Sequence, residues 1–217
     1  MDFFLLAFPA LFSIINPLGG AFIFLGATER CTLETREHLA RWVAIHSFFV
    51  LSASLYVGAY VLSFFGISIA ALRVAGGIII AINGFRMLNQ GDSEEKEQTA
   101  VQAASRRDAS RLAFFPLTLP VTTGPGTISV AVALGANKPK GLEFLWFSLA
   151  ATATTLIMCG LIFLLYRSAD RVGKAVGPTG TTIIVRLSAF LLFCIGVQVI
   201  WSGLEELLVG MLSKARA

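Results

Sequence analysis

Of 217 residues, 56% are hydrophobic and 14% charged, and the mean hydropathy is +0.78. Soluble domains carry roughly 25% charged residues, so this balance excludes a soluble domain and points to a chain that crosses a membrane several times. The net charge of +4 forms no basic stripe interleaved with aromatics, which argues against nucleic acid as a partner.

A span needs about 20 apolar residues. The first covers 3–25; Asp2 in place of a basic leader, and the length of the run, set it apart from a signal peptide. A polar stretch, 28–41, follows. The apolar block from Trp42 to Leu88 is too long for one span and must turn back at Phe65-Gly66-Ile67-Ser68, giving span two (42–64) and span three (69–88). Residues 90–111 form the longest polar segment. Span four covers 112–136, a short turn 137–141, and span five 142–166. A basic loop, 167–180, leads to span six (182–208) and a short basic tail. Cys31, Cys159 and Cys194 have no metal-type spacing and read as small buried hydrophobes.

The chain therefore divides into a first three-helix unit (1–89), a polar linker (90–111) and a second three-helix unit (112–217). Loops one, three and five carry most of the basic residues, which the positive-inside rule puts in the cytoplasm. Both termini are then expected on the periplasmic side of a multi-pass inner-membrane protein.

Two spans are interrupted. Span four contains Pro116-Leu-Thr-Leu-Pro120 and then Thr123-Gly124-Pro125-Gly126-Thr127; span one contains Asn16-Pro17-Leu18-Gly19-Gly20. Proline removes a backbone donor and glycine weakens a helix. In hydrocarbon such a break survives only where protein or a polar cavity surrounds it. Interrupted spans in corresponding positions of two halves point to a transporter's binding site.

The halves are related, although spans two and five match only weakly. Leu72-Arg73-Val74 matches Val185-Arg186-Leu187, and Asn16-Pro17-Leu18-Gly19 matches Gly124-Pro125-Gly126-Thr127. Because each half has an odd number of spans, the second must be inverted. The expected fold is an all-α membrane protein of six transmembrane helices in a 3+3 inverted repeat, with helices one and four broken at mid-membrane. Asparagine is a preferred N-cap and proline is favoured at the first helical position. The second half of each broken span would then present its positive dipole end at mid-depth, a site for an anion. The carbonyl ends of the first halves suit a cation, so a small zwitterion fits the pair.

Each candidate has a plainer alternative. Asn16 is an N-cap and ligand contact, or polar glue between helices. Pro17 and Pro125 open the second halves. Gly19 and Gly20 leave room for a ligand or let helices pack. Thr122, Thr123 and Thr127 offer hydroxyls to a substrate or to backbone freed by proline. Gly124 and Gly126 serve through their amides or through packing. Arg73 and Arg186, about one turn inside their spans, bridge to the carbonyl ends of the broken helices as structural gates, or snorkel to the interface. Gln198 caps the site from span six. His46 is a candidate proton carrier or a helix-facing polar group. No HExxH, GxSxG or Walker pattern occurs, so an enzyme is not expected.

Asn16-Pro17-Leu18-Gly19, Arg73-Val74-Ala75-Gly76-Gly77, the two proline-glycine stretches of span four, and Arg186 with Gln198 together resemble the MarC family of bacterial and archaeal inner-membrane proteins, over essentially the whole chain. The resemblance implies transport of small neutral amino acids such as glycine and alanine, with coupling to protons; coupling to Na+ is equally open. No cofactor is implied. The expectation is a secondary transporter working by alternating access, with the lipid bilayer and the solute as partners and a homo-oligomer left open. The alternatives are a non-transporting assembly or stress-response partner and a passive small-solute channel.

Overall fold

The computed structural model describes residues 2–28, 31–89, 112–136, 138–139 and 141–215, and each of its elements is a helix. The linker 90–111, Arg30, Asn137 and Lys140 lie outside the described residues.

Span one consists of α1 (Asp2–Ile15) and α2 (Pro17–Ala27), joined at Asn16. Asn16 is left-handed (φ 45°, ψ 61°), a conformation asparagine tolerates better than most residues. Its side chain accepts the Gly19 amide at 3.2 Å, as expected of an N-cap. The interruption is local. The Asn16 amide still reaches Phe12 O at 2.9 Å, and Gly20 N–H donates to Asn16 O at 2.8 Å.

Span two begins earlier than expected. Thr32 caps α3 (Leu33–Tyr56) by accepting from the Thr35 amide, with Glu34 in the first turn, so nine residues assigned to a loop (33–41) are helical. After a break at Val57, α4 (Gly58–Phe64) completes the span. The expected hairpin follows at 65–68. Gly66 (φ 68°) takes the left-handed position of a Schellman cap, with Ile67 N–H on Leu62 O and Gly66 N–H on Ser63 O. Ser68 then accepts the Ala71 amide and opens α5 (Ile69–Asn89), the third span.

Span four is the most irregular. Its first half, α6 (Ala113–Thr122), winds as a π-helix, and α7 (Pro125–Ala136) leaves it at 68°. Phe115 and Leu119, the residues before Pro116 and Pro120, are extended, as pre-proline sterics demand, and both X–Pro bonds are cis. Three hydroxyls fill the gaps in the ladder: Thr118 donates to Ala113 O (2.6 Å), Thr122 to Leu117 O (2.7 Å) and Thr123 to Thr118 O (3.3 Å).

The basic loop expected at 167–180 is instead helix. Span five continues as α8 (Glu143–Gly177), and α9 (Thr179–Leu212) carries span six. The two are separated at Gly177, whose φ of 74° and ψ of 173° suit glycine alone. Alanine, lysine and arginine are good helix formers, so polarity in 167–176 marked the end of the membrane but not the end of the helix.

Five helices among the described residues have the length and composition to cross a membrane, and the bent α6–α7 pair makes a sixth. The core brings together spans one, two, four and five around Leu11, Phe24, Leu51, Leu117, Met158 and Tyr166. Spans three and six run antiparallel in backbone contact: a Cβ on Gly196 would lie 2.4 Å from Ala81 N, and one on Gly77 2.7 Å from Ile200 N. Lipid tails are as apolar as leucine, so such close backbone approach supplies the packing that a hydrophobic effect cannot.

Charges sit at the helix ends. Arg73 pairs with Glu206 of α9 at 2.5 Å rather than with the carbonyl ends of the broken helices, which corrects the bridging role expected of it. Both partners are substantially exposed, so Arg73→Ala should change stability by less than about 1 kcal/mol in a double-mutant cycle with Glu206→Gln. In the turn between spans four and five, Lys138 donates to Tyr56 O and lies over the Tyr60 ring (4.9 Å to its centroid). Partial burial there holds its ammonium pKa below the usual lysine value.

Candidate functional site

The interrupted spans meet at one buried hydroxyl. Tyr166, on α8, is fully buried, and its Oη lies 2.9 Å from Thr122 Oγ1 at the end of α6. The same oxygen faces Gly20 on α2, where an added Cβ would lie 2.6 Å from it. Phe24, one turn further along α2, stacks on the Tyr166 ring at 4.7 Å. A fourth span contributes Ser188 of α9: a Cβ on Gly19 would lie 2.9 Å from Ser188 Cβ, 3.1 Å from its Oγ and 2.7 Å from Asn16 Nδ2.

Three polar side chains therefore converge on the bare Gly19-Gly20 step, Asn16, Tyr166 and Ser188, and Thr122 joins them through the Tyr166 hydroxyl. Asn16 is half-buried, and Pro17, Gly19 and Gly20 are buried. The amides at the start of α2 are mostly in use. Pro17 has none, Gly19's goes to Asn16 Oδ1, and Gly20's goes to Asn16 O.

The start of α7 differs. The first four amides of a helix have no partner within it. Pro125 lacks one and Ile128 N–H reaches Gly124 O at 3.0 Å, which leaves Gly126 and Thr127 without a backbone acceptor among the described residues. Both are buried, whereas Gly124 is half-buried and Pro125 faces outward. Gly126 is also tightly packed, since a Cβ there would lie 2.1 Å from Ile80 Cγ1 of α5.

Thr122 and Thr123 already donate to α6 carbonyls, the plainer of their two expected roles, while Thr127 is buried beside the open amides. Thr122→Val removes both its bond to Leu117 O and the partner of a fully buried tyrosine. A stability loss of about 1–2 kcal/mol is expected in detergent thermal unfolding.

Arg186 and Gln198 lie on the exposed face of α9, away from the junction, so the capping role expected of Gln198 does not fit its position. His46 lies outside the junction too, between Trp42 (5.5 Å) and Phe114 (5.3 Å), with a buried Nδ1 that has no partner among the described residues.

Tyr166 and Ser188 escaped the sequence reading. A tyrosine next to Arg167 at the end of an apolar run looks like an interfacial aromatic anchor. A serine in an apolar run looks like a helix-internal hydroxyl. Neither reading reveals that α8 runs on past Tyr166 and keeps it inside the protein.

Helices long and apolar enough for up to six crossings, two of them interrupted and joined at a buried polar cluster, define a polytopic membrane protein. The chain belongs to the MarC family: the profile described as "MarC family integral membrane protein" matches residues 1–208. Among its relatives is a "UPF0056 inner membrane protein MarC" of Citrobacter koseri, 33% identical over 91% of this chain and 92% of its own. A "UPF0056 membrane protein" of Archaeoglobus fulgidus is 32% identical over 97% of this chain and 96% of its own. One from Methanocaldococcus jannaschii is 30% identical over 96% and 99%. No solved structure matches the chain.

Proposed function

We propose that this chain is a secondary transporter, rather than an enzyme, and that it carries small neutral amino acids such as glycine and alanine across the inner membrane by alternating access. The observation that carries this reading is the convergence of Asn16, Tyr166 and Ser188 on Gly19-Gly20, with Thr122 of the other interrupted span bound to the same Tyr166 hydroxyl. Polar groups cluster inside a membrane protein at solute pathways. Even one carbon added at Gly19 or Gly20 would clash, so the cluster is closed in this structure and a solute enters only when the helices part, which favours a small one. The open amides of Gly126 and Thr127 suit a carboxylate, and the amide and hydroxyl oxygens of Asn16 and Ser188 suit an ammonium. Antiparallel spans three and six have the relative direction that a 3+3 inverted repeat requires, and such repeats rock against one another around a central site.

Uptake into proteoliposomes tests the reading. Saturable uptake of labelled glycine or alanine, competed by the unlabelled amino acid, is the expected result. Flux linear in concentration would make the protein a channel. No flux of any small amino acid would overturn transport and favour a partner protein.

A further inference from the structure

The junction at Tyr166 is not isolated from the end of the molecule that carries the basic loops. α2 and α8 lie side by side, and the contacts between them form a ladder. Gly20 meets the Tyr166 hydroxyl, and Phe24 stacks on its ring. Further out, a Cβ on Gly173 would lie 2.9 Å from Leu25 Cδ2. At the end of α2, Thr28 O and Oγ1 accept from Arg36 at 2.9 and 3.1 Å, and Arg36 Nη1 reaches Asp170 of α8 at 3.2 Å. On α8 these positions share one face, since Tyr166, Asp170, Gly173 and Gly177 follow helical spacing.

A cavity of about 390 Å³ opens beside this ladder, lined by Leu25, Asp170, Gly173, Lys174, Gly177 and Thr181. Asp170, on its wall, is one helical turn from Tyr166. Between the cavity and Gly20 stand two aromatic rings, Phe24 and Tyr166, both fully buried. Arg36 is itself buried, and it ties the end of the broken span one to span five.

We infer that the α2–α8 seam is the inner gate of the site: the Phe24–Tyr166 stack is its plug and Arg36, bound to Thr28 and Asp170, is the latch that holds it shut. The inference rests on the transport reading, with the charge bias of the loops setting its face toward the cytoplasm. The open cavity is the vestibule, and release requires α2 to part from α8 along the seam. Arg36, on α3, holds Thr28 and Asp170 at once only while the two helices are together, so its bond to Asp170 biases the equilibrium toward the closed form by a differential contact.

Two measurements test this in a Cys31→Ser, Cys159→Ala, Cys194→Ser background. The first reads accessibility and needs no transport. In inside-out vesicles, the thiol introduced by Ser188→Cys is titrated with a membrane-impermeant thiosulfonate. Arg36→Gln should raise the labelling rate at least tenfold. Asp170→Asn keeps Arg36 on Thr28 and should raise it less, and it carries the test alone if Arg36→Gln fails to insert. Unchanged labelling in the variants that insert overturns the latch. In the second, Leu25→Cys and Gly173→Cys are bridged by a short, reductant-cleavable bis-thiosulfonate. Bridged protein should lose glycine uptake and recover it on reduction. Bridged protein that still transports at full rate overturns the gate. If the reduced protein takes up nothing, the transport reading fails, while the labelling result still decides whether the seam opens.

Discussion

Gly20→Val should cut uptake severely while leaving the protein in the membrane. The first atom of any side chain at position 20 would lie 2.6 Å from Tyr166 Oη, closer than real Cβ contacts come. Valine adds two methyl groups beyond that, so the tyrosine must leave its place beneath Thr122 and beside Phe24. Overpacking of this kind costs about 1–3 kcal/mol, which is roughly a five- to 150-fold loss if it falls on binding. Insertion depends on apolar length and survives. Gly20→Ala with Tyr166→Phe separates two causes. If the clash alone matters, removing the hydroxyl restores uptake. If the hydroxyl also holds the solute, the double variant stays slow and its KM rises. Full uptake by Gly20→Val itself would remove Gly20 from the site.

Gly126→Leu should be the second severe change, again with insertion intact. It lies in the first turn of α7, next to the free amide of Thr127. A Cβ there would lie 2.1 Å from Ile80 Cγ1 and 3.4 Å from Gly76 O, so leucine pushes α7 away from span three. Displacing the helix start also moves the two open amides. Ile80→Ala distinguishes the explanations, because it clears the space a larger residue at 126 needs. Recovery of uptake in Gly126→Ala with Ile80→Ala would mean that packing is the whole role of this glycine. Persistent loss, with normal thermal stability, would assign the amides to the solute.

Much of the fold is legible in the sequence because a bilayer imposes so few solutions. Apolar length gave the number of crossings, and Phe65-Gly66-Ile67-Ser68 supplied the chemistry of a tight cap. Asn16-Pro17 and Gly124-Pro125 marked both interruptions, since proline cannot donate and hydrocarbon does not forgive a missing donor. The winding of α6 was not legible. It arises from three hydroxyls reaching back five residues around two prolines, and a pattern of apolar residues carries no sign of that. Helix ends beyond the membrane were missed for a related reason: hydropathy detects where lipid stops, and α3 and α8 both run on into polar sequence. The candidate site was legible as backbone breaks but not as a cluster. Tyr166 and Ser188 come from spans with no irregularity at all, and only three-dimensional packing brings them to Gly19 and Gly20.

The unbroken length of α8 has one more consequence. At about 1.5 Å per residue, a 35-residue helix is about 50 Å long, against about 30 Å of hydrocarbon. Even well tilted, α8 outruns the hydrocarbon, so its polar end and the start of α9 lie at the headgroups or beyond, with Gly177 at the elbow. A probe fixed there lies outside the hydrocarbon, so a thiol introduced by Ala175→Cys, on an exposed position, reacts from one compartment alone. Labelling from the cytosol fixes the orientation of all the crossings at once; labelling from outside reverses it.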